Sequence, residues 1–254
     1  MIRGRLFARS FTAAAMLVLL PAAAPALVLR GGPINTSPPA GPLAGSGWDF
    51  IGRFETGNAA GFAATAIGHC TLLTARHLGF RAGDVFRFQG TAWTVARRVD
   101  LPDSDLAVGV IAGTFPFFAP LNEGTNEIGA ACVLFGPGRM RGDPVTDAGG
   151  NLRGWKWTDP VPAGLRWGTN AVARLTTWTN AFAFPGVVEL LVGDFVAEGG
   201  DELAAWAWGD SGSPLFVASP QGWRLAGIAS AADGPFATSP SPLEATFDAS
   251  LFDA

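Results

Sequence analysis

Hydrophobic positions along this chain come in short runs, and turn residues separate them. From Trp48 onward FAATAIG (62–68), TLLTARH (71–77), VFRFQG (85–90), AWTVARRV (92–99) and DLAVGVIAG (105–113) follow one another with little between them. Runs of this length, rich in Val, Ile, Phe and Thr, predict β-strands joined by tight connections. A proline- and glycine-bearing link, FPFFAPLNEGTNEIG (115–129), ends the first series. A second series runs through AACVLFG (130–136), NAVARLTTW (170–178), VVELLVGDF (187–195), SPLFVAS (213–219) and WRLAGIAS (223–230). Beyond residue 26 no stretch keeps a helical apolar period for more than a turn or two. Two strand-rich halves of similar size predict an all-β fold of two small β-barrels packed together.

The first 26 residues follow a different pattern. Arg3, Arg5 and Arg9 make a basic start, FTAAAMLVLLPAAAPA an apolar stretch, and Ala24-Pro25-Ala26 a small-residue cleavage pattern. This predicts a secretory signal peptide over 1–26, a mature chain beginning at Leu27, and a secreted or periplasmic protein. The rival is an uncleaved anchor, but Pro21 and Pro25 interrupt a run already short for a bilayer span. Residues 27–46, LVLRGGPINTSPPAGPLAGS, read as an extended lead-in without packed structure. The two halves are then expected over 47–117 and 118–254.

Composition changes the picture in two places. Of 254 residues, 34 are glycine and 19 proline, which favours turns over long helices, and nearly half are apolar, enough for a sizeable core. The formal charge of −4 becomes −7 when the three leader arginines are removed, and Lys156 is the single lysine. Such a chain has no basic footprint for nucleic acid, and no segment past the leader is apolar enough for a membrane. No metal-ligand spacing, phosphate loop or cofactor motif occurs, so no metal and no cofactor is expected. Export permits a disulfide between Cys70 and Cys132, although each could equally pack as a small hydrophobe; the sequence leaves both open.

The candidate chemistry lies in WGDSGSPLFV (208–217). A serine hydroxyl there needs a neighbouring base to become a nucleophile. The chain has two histidines, His69 and His77, and both precede Ser211. That order excludes the α/β-hydrolase arrangement, in which the nucleophile comes first and the histidine last. His77 ends the strand-like TLLTARH, whereas His69 sits in the hairpin turn IGHC, where a histidine is usually just solvated. Asp105 opens the apolar run DLAVGVI, where a charge needs a buried partner. Asp100 and Asp103 compete with it but lie in the turn around LPDS.

TARH, SDLAVGVI and GDSGSPLFV, in that order, resemble the TAxH, D-[IL]-A-[LV] and GDSG[GS]P motifs of chymotrypsin-like (trypsin-like) serine peptidases. GWRLAGIAS before and including Ser230 resembles the strand lining the substrate cleft in that family. The resemblance extends from about Trp48 to Phe247. It implies two packed antiparallel six-stranded β-barrels with the active site in the cleft between them. It implies a Ser211 nucleophile, a His77 base and an Asp105 that orients the imidazole. The backbone amides of Gly209 and Ser211 would form an oxyanion hole. Substrates would be proteins or peptides, cleaved by a monomer acting as an endopeptidase. The other class of function is a catalytically silent binding module on the same fold, against which an intact triad argues.

The chain also departs from the animal enzymes. Those are activated when a new Ile-Val-Gly-Gly terminus meets the aspartate before the serine, here Asp210; the nearest counterpart, LVLRGGPIN, does not reproduce that sequence. No cysteine follows His77 or flanks Ser211, and the 28-residue interval from His77 to Asp105 resembles compact bacterial secreted members. By the resemblance, Ala205, six residues before Ser211, would floor the primary pocket. Trp206, Trp208, Ser230, Ala231 and Ala232 would line it, which favours apolar or small side chains before the scissile bond. Asp201 and Glu202 are close enough in sequence to compete for that floor. Tryptophan is abundant, with nine in all and no tyrosine, and WKW (155–157) and WAW (206–208) are also candidate sugar platforms, though strand aromatics more often fill a core.

Overall fold

A computed structural model describes residues 27–31, 35–125, 127–158, 164–179, 187–236 and 248–253. The expected signal peptide lies outside them. The strands are β1 (Val28–Leu29), β2 (Ile51–Phe54), β3 (Ala63–Gly68), β4 (Thr71–Ala75), β5 (Val85–Phe88), β6 (Thr91–Asp100) and β7 (Leu106–Ile111). Then come β8 (Ala131–Gly136), β9 (Arg141–Thr146), β10 (Leu152–Trp157), β11 (Arg166–Ala171), β12 (Arg174–Thr179) and β13 (Val187–Val192). The last are β14 (Ala204–Ala205), β15 (Pro214–Ser219), β16 (Gly222–Ile228) and β17 (Ala249–Leu251). Only three-residue 3₁₀ turns interrupt this all-β chain among the described residues.

The first half closes into a barrel in the order β2-β3-β4-β7-β6-β5. Closure comes from β2 pairing antiparallel with β5, Arg53 opposite Arg87 and Phe54 opposite Phe86. β7 alternates half-buried and buried along LAVGVI, as a strand with one face on a core must. Phe54, Phe80, Phe86, Phe88, Phe115, Leu72 and Val95 fill the interior. Burying each such side chain stabilises by about 1.5–3 kcal/mol, so this apolar plug dominates the half's stability.

In the second half β11-β8-β15-β16 form one sheet, β17-β10-β9 another, and β12-β13 and β1-β14 two-stranded ribbons. An apolar cluster joins the halves: Ile51 and Ala63 from the barrel meet Val133, Phe135, Phe216 and Leu225. The link between the halves is stitched down, with Ala119 N donating to Ala66 O and Asn122 N to Leu225 O, both at 2.8 Å.

The lead-in corrects one expectation. Leu27, Val28 and Leu29 are fully packed, and Val28 and Leu29 pair with Ala205 and Ala204. Three apolar residues ahead of a Gly/Pro tract are too few for a strand signal, yet they bury where another strand supplies the edge. Both cysteines are free thiols in different clusters. Burial pushes the Cys132 thiol up to about 12, so it packs as a hydrophobe.

Candidate active site

The β4–β7 ladder brings His77 and Asp105 together. Ala75 pairs with Leu106, and Arg76 N donates to Asp105 O at 2.8 Å, one step beyond the strands. The chain then turns through Arg76–Leu78, ended by Gly79 in the left-handed region at φ 66°. His77 therefore faces Asp105, the residue just before β7. Its backbone N donates to Asp105 Oδ1 at 2.9 Å, and its Nδ1 lies 2.6 Å from Asp105 Oδ2. Asp105 is 2% exposed, and its Oδ2 also accepts the Ser230 hydroxyl at 2.6 Å. Three donors compensate the buried charge. A carboxylate opposite Nδ1 favours the tautomer that carries the ring proton on that nitrogen.

Ser211 reaches the site from the other half, on a turn between Gly209 (φ 98°) and Gly212 (φ 82°). Gly212 packs close against the barrel. A Cβ there would lie 2.2 Å from Thr74 Oγ1 and 2.5 Å from the Ala63 carbonyl. Gly212 N donates to Ala229 O at 2.9 Å, and Ala229 N to Ser213 O at 2.7 Å, tying the serine turn to the segment carrying Ser230. Among the described residues neither Gly209 N nor Ser211 N donates a hydrogen bond within the chain. Both amides are available to an oxygen brought to the serine.

His77 and Ser211 line one cavity of about 380 Å³. Trp206, Trp208, Ser230, Ala231 and Ala232, all expected from sequence, line it with them. Ala205 does not: it is committed to β14 opposite Val28, whereas Ala207 does line the cavity. The acids that competed with it also lie elsewhere, Asp201 exposed 3.9 Å from Arg30 and Glu202 lending its carbonyl to Thr169 N. Sequence reasoning missed Trp157, Trp178, Asp233 and Asp248 in the lining. WKW stands out in the sequence as an aromatic platform, but nothing in its pattern ties it to the serine.

Two tryptophans of the wall are fixed by their ring nitrogens: Trp157 Nε1 donates to Ser250 Oγ and Trp206 Nε1 to Phe135 O, both at 3.0 Å. Trp208 is 58% exposed, with the Arg139 guanidinium 4.9 Å from its ring centroid. Arg139 also pairs with Asp248 at 3.3 Å.

Beneath the serine turn Asp210 is 1% exposed. Its Oδ1 accepts Gly138 N at 2.7 Å and its Oδ2 accepts Ala207 N at 2.8 Å. Burial pushes its carboxyl up to about 7, against the pull of those two amides and of the Arg166 charge. Burial in turn lowers Arg166 to about 10, with Asp210 opposing. Gly136 and Gly138 permit the close approach, since a Cβ on Gly136 would lie 2.0 Å from Asp210 Oδ1.

No protein-family model matches the chain, and no curated protein matches it. Among solved structures it is similar to neuropsin, a serine protease expressed in the limbic system of mouse brain. The identity is 17%, over 80% of this chain and 89% of that one, with a TM-score of 0.44. That likeness is too distant to carry the chemistry, which rests on the residues themselves.

Proposed function

We propose that this chain is an exported serine endopeptidase of the chymotrypsin-like class, acting on protein or peptide substrates through an acyl-enzyme intermediate. The observation that carries the reading is the His77–Asp105 pair, buried on its carboxylate side and sharing a cavity with Ser211. Ser211 Oγ attacks the scissile carbonyl carbon as His77 Nε2 takes its proton. The carbonyl oxygen, now anionic, receives the amides of Gly209 and Ser211, each donor worth roughly 3 kcal/mol in the transition state. His77 returns the proton to the leaving amine, and water repeats the sequence on the acyl-enzyme. Asp105 stabilises the imidazolium formed at each stage.

The walls support a preference for an apolar or aromatic side chain before the scissile bond. Trp157, Trp178, Trp206, Trp208, Ala207, Ala231 and Ala232 line the cavity, and among the described residues no lysine or arginine does. Export rests on the leader, Arg3 to Ala26, and predicts a mature terminus at Leu27.

A fluorophosphonate probe tests the reading. Wild-type protein should be labelled at Ser211 and cleave denatured protein, and Ser211→Ala should do neither. Wild-type protein that folds yet takes no probe would make the chain a silent module on this fold.

A further inference from the structure

The turn carrying His77 is only three residues long and has no side-chain cap. Asp105 holds its front. Its back is held by a network far away in sequence. Arg98, on β6, donates from Nη2 to Arg76 O and from Nη1 to Phe80 O, both at 2.9 Å. Those carbonyls lie one residue before His77 and three after it. The guanidinium sits 5.0 Å from the centroid of the buried Phe80 ring, and its Nε donates to Asp100 Oδ1 at 2.5 Å. Asp100 Oδ2 completes the frame 3.2 Å from Arg76 Nε. Arg76 O accepts a second bond from Gly79 N at 3.2 Å, so the fork grips the carbonyl that closes the turn.

We propose that Arg98 is a positioning residue for the His77 base: its planar fork spans the carbonyls of Arg76 and Phe80 and fixes the turn from behind. This rests on the peptidase reading above. A side chain kept merely for surface charge would not need two backbone acceptors on opposite sides of one residue. The planar guanidinium supplies that geometry and an ammonium does not. Asp100 anchors the fork.

The test compares Arg98→Met and Arg98→Lys with wild type in four measurements: probe labelling of Ser211, kcat and KM on a peptide substrate, thermal unfolding, and the low-field proton resonance of His77 Nδ1–H. In folded Arg98→Met, labelling and kcat should fall by roughly 10- to 100-fold, the scale of a small misplacement of a catalytic group. KM should hold, the low-field resonance should broaden or vanish, and added guanidinium ion should restore part of the rate. Arg98→Lys should fall between. Wild-type kcat and resonance in either folded variant, even with lowered thermal stability, overturns the clamp alone, and should Arg98→Met not fold, Arg98→Lys decides. Wild-type protein that takes no probe overturns the peptidase reading and the clamp's role with it.

Discussion

Gly138 and Asp210, 72 residues apart, meet beneath the serine turn, where the Gly138 amide donates to Asp210 Oδ1 at 2.7 Å. The carboxylate's other oxygen takes Ala207 N, so one buried side chain holds two loops, one of which contributes to the cavity wall. Those backbone amides and the nearby Arg166 charge compensate the carboxylate.

The first prediction is a pH dependence of stability. Asp210 is raised from 3.8 to about 7 in the folded chain. Below the unfolded value both states hold the proton. Between the two values only the folded state does, so its contribution falls as pH rises and levels off above the folded value. Urea midpoints measured from pH 4 to 8 should show this loss in wild type. Asp210→Asn should be less stable throughout, because its amide nitrogen faces an N–H donor, but should lack the slope. Parallel curves for the two proteins would show that Asp210 does not titrate in this window.

Gly212 offers a second test. Alanine there meets Thr74 Oγ1 and the Ala63 carbonyl at sub-contact distances and must adopt φ 82°. Strain and overpacking together should cost at least about 2 kcal/mol. Gly222, at φ 97° with nothing near its missing Cβ, isolates backbone strain alone. Its alanine variant should lose about 1 kcal/mol. Equal losses in denaturant titrations of the two variants would mean that Gly212 does not set the approach of the halves.

A third prediction separates the two partners of Asp105. Asp105→Asn keeps the shape but removes the charge that holds the His77 Nδ1 proton, and should lower kcat by about 10⁴-fold. Ser230→Ala removes one donor to Oδ2 and leaves both His77 bonds in place. Its kcat/KM should drop by roughly tenfold, the scale of one hydrogen bond to a charged group. Stopped assays on one peptide substrate compare them; a Ser230→Ala enzyme as impaired as Asp105→Asn would give the hydroxyl a larger role than support.

That His77 meets Asp105 and lines a cavity with Ser211 was legible because each of the three lies beside a strong apolar run, where a polar side chain needs a partner and few residues can supply one. The barrel was legible for a similar reason: β4 and β7 are strong apolar runs, and their pairing places two of the three residues. The rest depended on loops. Ala205 was expected in the cavity from its distance to Ser211, but pairing with Val28 takes it away, and a two-residue strand leaves no periodic trace. Trp157 and Asp248 reach the wall through β10 and the segment before β17, over intervals no local pattern encodes. Asp100 looked like a turn carboxylate, and its partners Arg76 and Arg98 are adjacent only once the barrel closes.

The last prediction concerns what the cavity accepts. Trp208 stands three residues before Ser211, more than half exposed, with Arg139 against its ring and Arg139 N donating to Trp208 O at 2.8 Å. Arg139 is tied to Asp248, so that carboxylate is already compensated, and Asp233 is the exposed acid left in the lining. An indole held this way offers a broad apolar face, and aromatic pairs add about 0.5–1.5 kcal/mol beyond area burial. Peptides with Phe or Leu before the scissile bond should therefore be cleaved faster than those with Ala, Lys or Asp. Trp208→Ala should cut kcat/KM for the Phe peptide by roughly tenfold, one buried contact's worth, while leaving the Ala peptide and the rate of probe labelling nearly unchanged. Profiling of cleavage products from a peptide mixture reads both. Cleavage confined to bonds after Lys or Arg would show that Asp233 or Asp248 governs the pocket and that the tryptophans only wall it.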